Sequence, residues 1–325
     1  MFSYRSILKQ ALSIAWKNKY LWFFGLFASL AVAGGSMEYQ FVTQSLTSGI
    51  VDGTYQSLSG LLALSYLVQQ VWLGFVDLFS QNIIIIINTV TILLLTLTLI
   101  AVFIWLAISS QAALVDNVKK ILTPKKKLSV ASIREGLTTG SRHFWSVLGL
   151  NILIKILTGF AFFIVSLPLL FLVISDDSTF VVAYTILFVI FVPIAVSLSL
   201  IVKYAISCRV LENKTVLESL KFAVKLFKKN WLISLEIALI LFLVSFLASL
   251  GILLAISIIF FPLLWMGIVF SINWLIFIML FLCLVAAATF GSLYTTFQIA
   301  TWTDLYLRLK DNKGTAKLER LFQKK

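Results

Sequence analysis

The stretch "KKNWLISLEIALILFLVSFLASLGILLAISIIF", residues 228–260, decides the class of this chain. Two lysines and a tryptophan lead into a run with one charge, Glu236, and no further charge follows until Asp304. A helix crosses the roughly 30 Å hydrocarbon core of a bilayer with about 20 apolar residues, so the run has the length of several crossings. The whole chain agrees with this reading. It is 61% hydrophobic and 12% charged over 325 residues, with a mean hydropathy of +1.04. A soluble domain of this size cannot hide so much apolar side chain, and long apolar runs read as membrane spans.

The net charge of +13 raises the question of nucleic acid, and its distribution answers it. Residues 1–20 hold four Lys and Arg, while 109–145, 203–230 and 303–325 hold seven each. The remaining basic residue is Lys155, inside an apolar run. The segments carrying Glu38, Asp52, Asp77, Asp176 and Asp177 contain no Lys or Arg. Such alternation is the positive-inside pattern, which places all four basic blocks and both termini in the cytoplasm. A nucleic-acid reader would instead interleave basic and reading residues on a recognisable module, and none is present. Cys208 at a boundary and Cys283 in an apolar run do not suggest a disulfide. With His143 as the single histidine, no zinc cluster can be assembled.

Spans are expected at about 20–36, 82–108, 146–174, 180–203, 232–257 and 274–302. A cleaved signal peptide rivals the first of these, because "AVA" at 31–33 resembles a cleavage site. The long amphipathic leader before it argues for an uncleaved span. By length 237–303 could hold three helices, but three would put the basic C-terminal tail outside. Two spans are therefore expected, with "IIFFPLLWMGIVFSIN" (258–273) around Pro262 as an outer turn or re-entrant segment shielded by protein. Gln69, Gln70 and Asp77 make 58–79 a poor span, so an interfacial helix on the outer leaflet is expected there. The fold class is thus all-α and polytopic, a single integral membrane domain of six spans.

A shared grammar precedes the spans. Thr215 and Glu218 form a capping box, then Leu217, Leu220, Val224 and Phe227 make an apolar stripe with Lys221, Lys225 and Lys228 on the other side. Trp231 follows at the membrane interface. Ser132 and Glu135 make a second box ahead of Arg142 and Trp145, although Gly136 and Gly140 weaken that helix. At the N-terminus Ile7, Leu8, Ala11, Leu12 and Ala15 form a stripe opposite Lys9 and Lys17. Each unit, roughly 1–108, 109–206 and 207–310 before a basic tail at 311–325, pairs an amphipathic interfacial helix with two spans. A true threefold repeat and a pattern forced by membrane insertion alone both account for this.

Three patches carry a resemblance: "YAISCRVLENKTVLESLKFAVKLFKKNW" (204–231), "NKYLWFFGLFA" (18–28) and "ATWTDLYLRLK" (300–310). They resemble bacterial polytopic proteins of the YciC-like family and the membrane domain attached to some glycerophosphodiester phosphodiesterases. The resemblance implies a bacterial cytoplasmic-membrane protein and no catalytic residues, because that phosphodiesterase chemistry belongs to a separate soluble domain.

Ionisable residues inside a membrane are functional candidates, since a mid-bilayer charge costs about 2.5–3.5 kcal/mol on insertion scales. Lys155 lies ten residues past Trp145 and Glu236 five past Trp231, roughly 15 and 7.5 Å inward. Their side chains are expected either to lock helix packing as an ion pair or by snorkelling, or to serve a proton- or substrate-linked role. Pro168 and Pro193 interrupt donor patterns within two spans and could shape packing or line a transport site. Thr89, Thr96, Thr289, Ser292 and Thr296 are expected as interhelical glue. Lys125, Lys126 and Lys127, with Lys221, Lys225, Lys228 and Lys229, face anionic lipid headgroups or act as plain topology determinants. No catalytic triad, phosphate loop, metal or cofactor site is marked. The expected function is non-catalytic envelope or lipid organisation, with a small-solute or lipid transporter as the alternative.

Overall fold

The computed structural model describes residues 4–33, 83–123, 133–175, 179–270 and 273–311, with positions 69 and 73. The expected interfacial helix at 58–79, Lys125 to Lys127, Ser132, the acidic pair 176–177 and the tail beyond 311 lie outside those residues. Among the described residues every ordered element is an α-helix. They are α1 (Tyr4–Lys17), α2 (Tyr20–Ala33), α3 (Ile83–Leu122), α4 (Ile133–Arg142), α5 (Phe144–Ser175), α6 (Thr179–Glu212), α7 (Val216–Lys229), α8 (Trp231–Val269) and α9 (Asn273–Lys310).

Five of these, α3, α5, α6, α8 and α9, are long and apolar enough to cross a membrane. The protein is therefore an all-α, multi-pass membrane protein. The sixth expected span is described only to Ala33, as the 14-residue α2. The expected turn or re-entrant segment around Pro262 is corrected: α8 passes through Pro262 to Val269 and the chain turns at Phe270. Proline removes one backbone donor, and in an apolar environment a continuous helix still leaves fewer unpaired groups than an irregular loop does. Helices α5 and α6 likewise run through Pro168 and Pro193.

The chain forms two compact units that do not follow its linear order. The first gathers 1–32, 106–150 and 200–325, and the second 33–105 and 151–199.

In the first unit the long helices are buried at their basic ends. In α3 the residues from Ala107 to Val118 are mostly buried, as are Tyr204 to Cys208 in α6, Ile233 and Ile237 in α8, and Ala300 to Tyr306 in α9. These segments are rich in Ala, Ser and Thr, whose short side chains let helices approach closely. Two glycines mark the closest approaches. A Cβ on Gly25 of α2 would collide with the Ser292 carbonyl of α9, and one on Gly140 of α4 with the Ser109 carbonyl of α3. Gly136, one turn earlier, abuts the Phe24 ring and Asn117. The glycines that weaken α4 as an amphipathic helix are thus its packing surface.

Hydroxyls divide between two uses. Ser292 of α9 donates across to the Trp22 carbonyl in α2, while the Thr296 hydroxyl lies 3.3 Å from the Leu21 carbonyl and closer, at 2.9 Å, to the Ser292 carbonyl of its own helix. Thr96 and Thr289 instead bond back to Ile92 and Ala286 of their own helices. Ser292 is interhelical glue, and Thr296 shares its hydroxyl between the two uses. The second pair only satisfies itself.

The second unit is built where α5 meets α6. Val165, Phe191 and Ala195 form its buried centre, with Tyr184 and Phe188 packed against it. Most of α3 from Ile83 to Trp105 is exposed.

Candidate functional site

Each short helix hands over to an apolar helix through the same bond. The Asn18 side-chain amide donates to the Ile14 carbonyl at 2.9 Å, and that of Asn230 to the Leu226 carbonyl at 3.1 Å. Between α4 and α5, His143 Nδ1 lies 3.0 Å from the Thr139 carbonyl. All three are contacts to the residue four positions earlier, and at Asn18 and Asn230 the same carbonyl also accepts that residue's backbone N–H. Exposed tryptophans stand at each junction: Trp16, Trp145 and Trp231. At the first, Trp22 Nε1 donates to the Ala15 carbonyl at 2.7 Å and pins the turn.

Helix α1 has two working faces. Ile7, Ala11, Ile14 and Ala15 recur at helical spacing and are buried, and α1 packs against α9. Tyr4, Leu8 and Leu12 lie on a neighbouring face that borders an open groove of about 860 Å³. Helix α8 supplies one wall with Leu239, Ile240, Val244 and Ala248. Helix α9 supplies the other with Phe290, Leu293, Tyr294 and Phe297. Phe290 and Tyr294 stack at 6.2 Å, which stiffens that wall. One end of the groove is polar: the Tyr4 phenol donates to Glu236 Oε2, and the exposed cations Arg5 and Lys9 form its lip. The groove is thus apolar along its walls and polar at one end.

A second constellation centres on "ENKT", residues 212–215. The Glu212 carboxylate accepts from the Tyr306 hydroxyl and pairs with Lys310 at 2.8 Å and Lys214 at 2.7 Å. That carboxylate raises Lys214 above the usual lysine value. Lys214 Nζ also lies 4.3 Å from the centroid of the Phe222 ring. Asn213 adopts a positive φ of 53°, a left-handed conformation that asparagine tolerates. Its Oδ1 lies 2.8 Å from His143 Nε2. Thr215 and Glu218 then complete the expected capping box. The turn therefore ties α6, α7, α9 and the α4–α5 junction together.

That geometry yields a paired prediction. Asn213→Gly keeps the backbone comfortable and loses the bond to His143, costing about 1 kcal/mol. Asn213→Val loses the same bond and adds roughly 1–2 kcal/mol of left-handed strain. Thermal melting of the purified protein in detergent should rank Val well below Gly; equal losses would refute a role for the turn geometry.

The other sequence candidates fall as follows. Glu236 belongs to the first unit and Lys155 to the second. Lys155 is exposed on α5 beside Ile156, which is also exposed. Lys221, Lys225, Lys228 and Lys229 are all exposed on α7. The face of α7 packed against the protein is Ser219, Ala223 and Leu226, beside the Leu217 stripe read from the sequence. Leu220, Val224 and Phe227 flank that face half-exposed, and Leu217 is open. Small residues win because they allow close contact, which leaves the bulkier stripe at the margin.

Neither a protein-family model, nor a curated protein, nor a solved structure matches this chain. The site must be argued from its own chemistry. Both nitrogens of His143 are engaged, by Thr139 and Asn213. Beyond Glu236 and the Tyr294 hydroxyl, the groove walls are side chains of Leu, Ile, Val, Ala and Phe. Sequence reasoning named Glu236 but not its partner, because Tyr4 and Glu236 are 232 residues apart.

Proposed function

We propose that this is a non-catalytic protein of the bacterial cytoplasmic membrane that acts in envelope or lipid organisation. In this reading the five long helices and α2 make six spans, both termini are cytoplasmic, and α1, α4 and α7 are amphipathic interfacial helices. The likeness to the YciC-like family belongs to the same proposal, and the structural employment of "ENKT" supports it. So does the shared bond at the three junctions, which favours a threefold repeat.

The carrying observation is that burial runs against hydropathy. The basic ends of the helices are packed around Tyr204, Leu305 and Tyr306, while the most apolar lengths are exposed. A protein with such exposed lengths is solvated by lipid along them. Its rigid part lies at headgroup level, where the α7 lysines attract anionic lipids at about 1 kcal/mol each. Lys125, Lys126 and Lys127 add to that field by sequence. The engaged nitrogens of His143 argue against a general base there. A transporter built on Lys155 and Glu236 has less support, because the groove beside Glu236 is apolar rather than a polar pathway.

The test is the lipid retained by the purified protein. From vesicles of equal phosphatidylglycerol and phosphatidylcholine, the wild type should retain several-fold more of the anionic lipid, following the roughly 1 kcal/mol per cation. Lys221→Gln, Lys225→Gln, Lys228→Gln and Lys229→Gln together should remove most of that enrichment. Retained lipid that mirrors the bulk bilayer in both proteins would defeat the lipid reading. Single cysteines at exposed Lys17 and Lys310, in a chain with Cys208 and Cys283 replaced by serine, should react only from the inner side; labelling of either from outside would overturn the topology.

A further inference from the structure

We infer that the groove between α1, α8 and α9 is a lipid site, holding one acyl chain of an anionic phospholipid whose phosphate rests on Arg5 and Lys9. The inference rests on the membrane reading above and deepens it by naming a ligand and a place.

The argument begins with dimensions. From Glu236 to Ala248 the α8 wall rises through twelve residues, or about 18 Å, slightly more than half of the roughly 30 Å hydrocarbon core. That is the depth of one leaflet. An apolar trough of about 860 Å³ open to that leaflet is filled by hydrocarbon, because neither water nor an empty space is stable against such walls. The rigid Phe290–Tyr294 stack and the fixed α1 lid make it a preformed slot rather than ordinary annular surface.

Charge then selects the headgroup. Arg5 and Lys9 are one helical turn apart on α1, both exposed and both at the lip. The guanidinium suits a phosphate through paired hydrogen bonds, and the ammonium adds a point charge. Glu236 offsets one of these charges. Arg5 and Lys9 against Glu236, which accepts from the Tyr4 phenol, leave the lip with one net positive charge. The Tyr4–Glu236 bond also fastens the start of α1 to α8 and so holds the lid over the trough.

The experiment uses the full chain in vesicles containing phosphatidylglycerol with a photoreactive diazirine in its acyl chain, mapped by mass spectrometry. Labelling should concentrate at Leu239, Val244 and Phe290, about fivefold over exposed Leu93 and Leu95 of α3, the effect of the one net cation left after Glu236 offsets the other. The same probe on phosphatidylcholine or phosphatidylethanolamine should lose that preference. Arg5→Gln with Lys9→Gln should reduce groove labelling several-fold, and Val244→Trp should block it by filling the trough. Ala248→Phe replaces Val244→Trp if the latter lowers the melting temperature.

Label spread evenly over α3 and the groove would overturn the site while leaving the membrane reading intact. Absence of label on α3 as well would instead sink the membrane reading. Equal labelling by the zwitterionic lipids, or crosslinks from the groove to this chain's own segments when a diazirine amino acid stands in place of Val244, would also overturn the proposal.

Discussion

Gly140→Ala is expected to destabilise the protein by about 3 kcal/mol or more, because a single methyl group has nowhere to go. Its Cβ would fall well inside the 3.0 Å limit from the Ser109 carbonyl, and a backbone oxygen cannot swing aside like a flexible side chain. Helix α4 would have to move off α3, and with it Gly136, the Phe24 ring and the His143 junction. Gly25→Ala meets the same obstacle at the Ser292 carbonyl. Gly149 supplies the control. A Cβ there meets nothing within 4 Å, so Gly149→Ala should be neutral or gain up to about 1 kcal/mol of helix propensity. Melting followed by tryptophan fluorescence in mild detergent, with size-exclusion profiles, would separate the three. A wild-type melting curve for Gly140→Ala would mean that α3 and α4 do not approach as described.

The second large effect is expected at Glu212. Replacing it by Gln keeps the shape and removes the charge that gathers Lys214, Lys310 and Tyr306. The carboxylate is only 13% exposed, whereas the lysines are 36% and 44% exposed. Their attraction is partly screened, so the cost lies below that of a fully buried pair, at about 2 kcal/mol. Tyr306→Phe removes only the hydroxyl and should cost about 1 kcal/mol. The double variant should lose less than the sum of the two, since they share one bond. Additive losses would show that Tyr306 and Glu212 do not act together.

Several of these groups were visible in the sequence for the wrong reason, or for none. The "ENKT" turn stood out as part of a resemblance, yet nothing local says that Glu212 meets a tyrosine 94 residues later. Gly136 and Gly140 read as flaws in an amphipathic helix. Their use depends on α3 passing close by, which helical periodicity cannot express. The face that α7 packs against the protein is likewise not the stripe that stands out by hydropathy. Hydropathy picks out the largest apolar side chains, but close packing between helices favours the smallest. By contrast the capping box at Thr215 was read correctly, because its two bonds lie within four residues.

The sequence by itself determined that this is an all-helical membrane protein, and where its long apolar helices and short cationic ones begin. Those properties follow from transfer energies and hydrogen bonds that each segment satisfies alone, so local composition suffices. Only the tertiary structure decided which ends of the helices form the packed body, which glycines are indispensable, and that Tyr4 closes a groove with Glu236. Inside a bilayer hydropathy no longer distinguishes lipid from a neighbouring helix. The choice passes to close fit and to polar groups brought together from distant parts of the chain.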